Sequence, residues 1–266
     1  MSLKYGVVIL MLFAVARTAA PAEAQSPVRA FEGMWSDPPL TAVGTFCAAW
    51  CTDAGIDFLN ALLDDPANDA RPFPQLQTQA ANHQRDKYIA ARLTPETLKS
   101  YPLDPADDPG FLRCEPWGLA RQIFARHQLE IRRRGDDLLE LRYGEWDARR
   151  TVYLNDGVAP RTQPPSSMGR SLGRWDGDAL VIESSGIAPD LTSWQTRHTD
   201  KLRVTERYTR SKDGKTLSLS ATLDDPASWR EPLVVKKIWA WAPGHKIDPY
   251  VDCERPREFS KGKNQP

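Results

Sequence analysis

Gly169-Arg-Ser171-Leu-Gly173-Arg174-Trp175-Asp176-Gly177-Asp178-Ala179-Leu-Val-Ile-Glu183 is the stretch whose reading decides the fold. A strand ends at Trp175, Asp176-Gly177-Asp178 makes a tight turn, and a second strand starts at Ala179. A loop with Trp194 and His198 follows. Then Leu202, Val204 and Glu206 alternate with polar residues, the period of a strand with one covered face. The same alternation runs outward in both directions. Gln122 to Phe124, Gln128 to Arg133, Leu138 to Tyr143, Thr151 to Leu154, Leu217 to Leu223 and Leu233 to Trp241 all read as strands. Gly135-Asp136-Asp137 and Lys212-Asp213-Gly214 read as hairpin turns between them. About nine short strands without intervening helices predict a mainly β fold, an antiparallel barrel or sandwich. Closure into a barrel would hide the sheet edges.

The region before this is different. Glu32-Gly33-Met34-Trp35 is extended, and a G-x-W of this kind often opens lipocalin-type barrels, so a lipocalin-like barrel is the favoured form. Ile56, Leu59, Leu62 and Leu63 fall on one face of a helix that Thr52 or Asp53 can cap. Asp64-Asp65-Pro66 stops it. A second helix is predicted from about Leu76 to Leu93. Thr94-Pro95-Glu96 opens a short third one by supplying a cap, a Pro at the first helical position and an acid in the first turn. The predicted organisation is an export signal over 1–24, an extended and helical segment over 25–110, a barrel over 111–255 and a polar tail over 256–266.

The chain has 266 residues, with Lys+Arg and Asp+Glu both at 35. That balance gives no electrostatic case for nucleic acid or an anionic membrane. Lys4, the short apolar run Val7–Val15 and the small-x-small Ala22-Glu23-Ala24 predict a secretory signal cleaved before Gln25. The expected mature protein is soluble, and periplasmic or secreted, with no membrane partner and an open oligomeric state. Cys47, Cys51, Cys114 and Cys253 form an even set, which favours disulfides in an oxidising compartment. Three pairings are possible. Cys47–Cys51 as a local clip and Cys114–Cys253 as a long staple are favoured. A metal site from Cys47, Cys51 and a His lacks the usual ligand spacing, so no metal and no cofactor are expected.

An ordered set of motifs resembles a large, largely uncharacterised family of secreted bacterial proteins. It comprises Cys114-x-Pro116-x-Gly118, Gln122-Ile123, Arg150-Thr-Val-Tyr153-Leu, Ser171-x-Gly173-Arg174-Trp175-Asp-Gly177-Asp178-x-Leu180-Val181, His198-Thr-Asp-x-Leu202-x-Val204-x-Glu206-Arg207 and Asp224-Asp225-Pro226. The resemblance spans about Cys114 to Cys253. It departs from the family pattern at Ala179 and Glu183, and in a long helical insert between Cys47 and Leu93 that would serve as a lid or pocket wall.

The candidate chemistry centres on His198, which can exchange a proton near neutral pH. With Glu206, Arg150 and Tyr153 it is expected to line a barrel lumen, deprotonate a substrate and stabilise the resulting anion. The alternative reading of Arg150 and Glu206 is a buried structural ion-pair network. Trp175, Trp194, Arg174, Arg207 and Asp178 are the expected substrate-binding residues. His83, His127 and His245 read as structural or surface residues. Gly169-Arg-Ser171-Leu-Gly173 spells a nucleophile elbow, but a hairpin follows it where the elbow needs a helix. Neither a dinucleotide nor a phosphate loop is present. The expected function is a cofactor-independent enzyme of lyase, isomerase or hydrolase type, acting on a small aromatic or apolar molecule. A non-catalytic carrier of such a ligand is the alternative, and an envelope-interaction protein stands third.

Overall fold

A computed structural model describes residues 31–38, 53–104, 108, 114–155 and 163–249. The signal segment 1–24, the tail 256–266 and Cys47, Cys51 and Cys253 lie outside the described residues, and so do the expected pairings. Cys114 is disulfide-bonded.

Nine strands close into one barrel. In chain order they are β1 (Gly33–Ser36), β2 (Leu129–Arg133), β3 (Leu138–Tyr143), β4 (Arg149–Tyr153), β5 (Arg170–Asp176), β6 (Ala179–Ser185), β9 (Arg203–Arg210), β10 (Thr216–Asp224) and β11 (Leu233–Trp241). Between β6 and β9 the chain leaves the wall and forms a separate two-stranded ribbon, β7 (Asp190–Leu191) and β8 (Arg197–His198). The mainly β barrel is as the alternation predicts, with one correction. β4 and β5 are parallel neighbours, pairing Val152 with Ser171 and Tyr153 with Leu172. β4 and β5 start at the same barrel end, so one joint in an otherwise antiparallel wall has the same direction on both sides.

Closure depends on four residues. β1 pairs with β2 on one side and β11 on the other. Trp35 is fully buried there; its indole N–H donates to the Phe31 carbonyl at 3.0 Å and its ring meets that of Trp241 edge-on at 4.9 Å. Gly33 must be glycine. Its φ is +123°, and a Cβ would stand 2.3 Å from the Trp241 ring. In the β5–β6 hairpin Trp175 faces Leu180 and Asp176 faces Ala179, so Gly177 and Asp178 form a two-residue turn in which Gly177 takes φ +60°.

Alternating side chains fill the interior. Leu139, Leu141, Val152, Leu180, Ile182, Val204, Leu219, Ala221, Leu223, Leu233 and Val235 form one buried cluster. Burial of such aliphatic side chains is worth about 1.5–3 kcal/mol each, and it makes the wall's register one-sided.

The helices fall close to expectation: α1 (Asp53–Leu63), α2 (Phe73–Ala90) and α3 (Pro95–Leu98), with the Thr94 hydroxyl accepting the Thr97 N–H. Leu76, Ala80 and Ile89 are the buried face of α2. The Tyr88 hydroxyl accepts the Val234 N–H at 2.9 Å, and the Arg230 N–H donates to the Arg92 carbonyl at 2.7 Å, so α2 is fastened to β11 and the loop before it. One strand prediction fails. Gln122 to Phe124 is not a strand: α4 (Leu119–Gln122) and the turn after it cover the barrel end. A short apolar run has no period of its own to separate the two forms.

Lys237 fastens this cover. It lies on the inward-facing parity of β11, its ammonium donates to the Ala125 carbonyl, and it stands 4.4 Å from the Trp239 ring and 3.8 Å from the Asp37 carboxylate. Burial pulls its pKa down to about 8; the Asp37 charge opposes that and Arg126 adds to it. Between that value and the ordinary 10.5 the unfolded chain binds more protons than the folded one. Stability against urea is therefore expected to rise with pH across this window, by at most ~1.4 kcal/mol per unit. Lys237→Met should remove the slope, and a slope retained in that variant would assign it to another group.

Candidate functional site

A cavity of about 470 Å³ opens beside the ribbon, at the barrel end where β4 and β5 start. That is ample for a small organic molecule. Among the described residues, four separate stretches build it. Glu115, Pro116 and Trp117 lead into α4; Ser167 precedes β5; Ala188 to Leu191 include β7; Arg197 to Asp200 include β8. Pro116, Trp117, Ala188, Pro189 and Leu191 give apolar walls, while Asp190 and His198 are register partners across the ribbon.

Backbone geometry fixes these groups. Asp190 Oδ2 accepts the Gly118 N–H at 3.0 Å. A Cβ on residue 118 would come within 2.7 Å of that same oxygen, so the glycine lets the carboxylate close on the chain. The Leu119 N–H donates to the Ser167 carbonyl at 2.8 Å and ties the first wall to the second. Arg121 lies over the Trp117 ring at 4.4 Å and pairs with Asp108 at 2.6 Å.

His198 is 2% exposed. Its Nδ1 lies 3.1 Å from the Thr199 carbonyl oxygen, which can only accept. The neutral ring therefore carries its proton on Nδ1 and its lone pair on Nε2. Nε2 is buried and, among the described residues, has no hydrogen-bond partner. Burial pushes the imidazole pKa below its ordinary value, while the Thr199 carbonyl and the carboxylates of Asp190 and Asp225 act the other way. The ring is neutral at pH 7 and able to accept a proton.

The expected lumen quartet is divided by the structure. Arg150 and Glu206 do meet inside the barrel, at 2.5 Å and 3.0 Å in a two-pronged pair that is almost wholly out of solvent. The Tyr208 hydroxyl donates to Glu206 Oε1 at 2.7 Å. Burial alone would lower the Arg150 pKa; the Glu206 charge and its hydrogen bonds more than offset this and hold it above the ordinary value. Both Glu206 oxygens are occupied, so this cluster is a strut across the barrel, the structural reading of the two. Tyr153 does not join it. Three residues from Arg150 on one strand, it falls on the opposite face and is only half-buried. His198 sits on the ribbon and makes no hydrogen bond to Arg150, Glu206 or Tyr153.

None of the five expected substrate-binding residues lines the cavity. Trp175 packs on Phe31 at the far end, 5.4 Å between ring centroids. Trp194 is buried against Phe124 at 4.7 Å. Arg174 is exposed beside Glu183, Arg207 pairs with Asp176 at 2.6 Å on the outer face, and Asp178 is exposed in the hairpin turn. The described part of the helical insert, residues 53–93, does not wall this cavity either. Ser171 lies in a strand and shares a hydrogen bond with Ser184 at 2.8 Å, with no histidine beside it. Of the other histidines, His83 stacks on Phe58, His127 pairs with Glu145 at 2.6 Å and His245 is exposed.

Sequence reading missed Asp190, Trp117 and Asp225. Asp190 carried no local signal, since a lone acid after proline is ordinary loop chemistry. Asp225 was visible within Asp224-Asp225-Pro226 but without a partner. Among the described residues no three His, Cys, Asp or Glu side chains converge on a metal-sized site, and no helix is long and apolar enough to cross a membrane. Compared with protein-family models, curated proteins and solved structures, the chain gives no match.

Proposed function

We propose that this protein is an exported, cofactor-independent acid–base enzyme of lyase, isomerase or hydrolase type, acting on a small aromatic or apolar molecule in the cavity at the barrel end. One observation carries the reading: a buried neutral imidazole at that cavity whose proton is held on Nδ1 by a backbone carbonyl and whose Nε2 is unpaired among the described residues. Such a nitrogen can take a proton from an acidic C–H or from a water attacking the substrate. The apolar walls favour a ligand with an aromatic or aliphatic body, and Asp190 faces the imidazolium that would form. The export reading rests on residues 1–24, and an oxidising compartment supports pairing Cys47 with Cys51 and Cys114 with Cys253.

Proton abstraction can be followed without knowing the product. In D2O, ¹H NMR of small apolar carbon acids such as phenylacetone should show solvent deuterium entering the acidic C–H position faster with protein than without. Ligand that perturbs Trp117 fluorescence but never exchanges would establish the carrier reading instead. Absence of both across a panel of such probes would remove the cavity as a small-molecule site.

A further inference from the structure

Asp225 is fully buried, yet among the described residues no Lys or Arg forms an ion pair with it. A buried carboxylate without a cation is costly and persists only where hydrogen bonds satisfy it. Here they come from two donors on a single residue and one on the carboxylate's own loop. Oδ2 accepts the Thr199 N–H at 2.5 Å, and Oδ1 accepts the Thr199 hydroxyl at 3.0 Å and the Ala227 N–H at 3.1 Å. The Ser228 and Trp229 N–H groups bond back to the Asp225 carbonyl, so its own backbone is held in a tight turn between β10 and β11.

Thr199 is the residue whose carbonyl holds His198 Nδ1. Gripping its amide and its hydroxyl together fixes its backbone and side-chain torsions, and with them the direction of that carbonyl. The Thr199 hydroxyl oxygen also accepts the Lys201 N–H at 3.1 Å, which closes the turn on the other side. We propose that Asp225 is the positioning residue for His198, acting through Thr199 to set the tautomer and aim of the imidazole in the cavity. The inference deepens the acid–base reading above and rests on it for its catalytic meaning. It gives the His198-Thr-Asp and Asp224-Asp225-Pro226 motifs, 26 residues apart from Thr199 to Asp225, one shared task. The carboxylate also joins that of Asp190, on the paired strand, in favouring the protonated ring.

The test is ¹⁵N NMR of histidine-labelled full-length protein. In the wild type, His198 should show a protonated Nδ1 and an unprotonated Nε2. In Asp225→Asn, which keeps the shape but loses the charge and one acceptor, His198 should populate the other tautomer and titrate at lower pH. Deuterium exchange into the carbon acid should fall by ~10- to 100-fold, the size met when a residue that orients a functional group is lost, with KM little changed. Asp225→Glu should recover part of both signals. If Asp225→Asn does not fold, Thr199→Val removes the hydroxyl's contacts with Asp225 and Lys201, keeps the Thr199 N–H bond to Asp225, and should shift the tautomer in the same sense. An unchanged tautomer and titration in a folded variant would overturn the proposal. Altered His198 signals in a protein that never exchanges any probe would leave the positioning role standing and defeat the enzymatic reading instead.

Discussion

Glu206→Ala should destabilise the fold by about 3–5 kcal/mol, because it strands the Arg150 guanidinium inside the barrel. Arg150 is 3% exposed and Glu206 0%, so neither has water to turn to when its partner is lost. The Tyr208 hydroxyl loses its acceptor in the same variant, which adds to the penalty. Arg150→Met combined with Glu206→Leu removes both charges and should recover most or all of the loss, since replacing a whole buried pair by apolar groups is often neutral or stabilising. Urea melts of the three variants measure this. Little loss in Glu206→Ala would show that the strut contributes no stability. A double variant as weak as the single one would show that the damage comes from altered packing and not from an unpaired charge.

The second large effect concerns His198. Replacing it with glutamine, which cannot exchange a proton at neutral pH, should lower turnover by ~10²- to 10⁴-fold while melting changes little. The pH profile carries a sign. Because burial holds the imidazole pKa below the ordinary 6.5, the acid limb of the rate profile should fall below that value and the rate should be flat through neutrality. Stability follows the same group. As pH drops from 6.5 towards the folded value, the unfolded chain takes up the proton first, so stability is lost across that window and constant beneath it. His198→Gln should flatten both curves. A wild-type acid limb centred above 6.5, or one that survives in the variant, would assign the proton transfer elsewhere.

Much of the wall was legible before any coordinates. Leu202, Val204, Glu206 and Tyr208 alternate with exposed residues because each strand has one face in the core, and the predicted hairpin at Asp176-Gly177-Asp178 forms at Gly177 and Asp178. Parity also separates Arg150 from Tyr153, so expecting both in one lumen conflicts with a strand's own period. The inward-facing acid at 206 was legible, but its occupation by Arg150 and Tyr208 was not, since those partners come from across the barrel and from the same strand. His198 was legible as the candidate base. Its surroundings were not: Gly118, Asp190 and Asp225 are brought together only by closure of the barrel. Trp175, Trp194, Arg174 and Arg207 share polar or aromatic character with binding residues, yet pairing and packing elsewhere account for each of them.

The ribbon of β7 and β8 interrupts the chain between two wall strands that bond directly to each other, β6 and β9. The wall's ladder therefore runs past residues 186–202 without using them. The exposed positions of such a segment can trade side chains while the ladder beneath keeps its register, although Ile187, Trp194 and Leu202 are held in the core. Rewriting Ala188 to Leu191 and Arg197 to Asp200 would therefore change two of the cavity's walls without touching the barrel ladder.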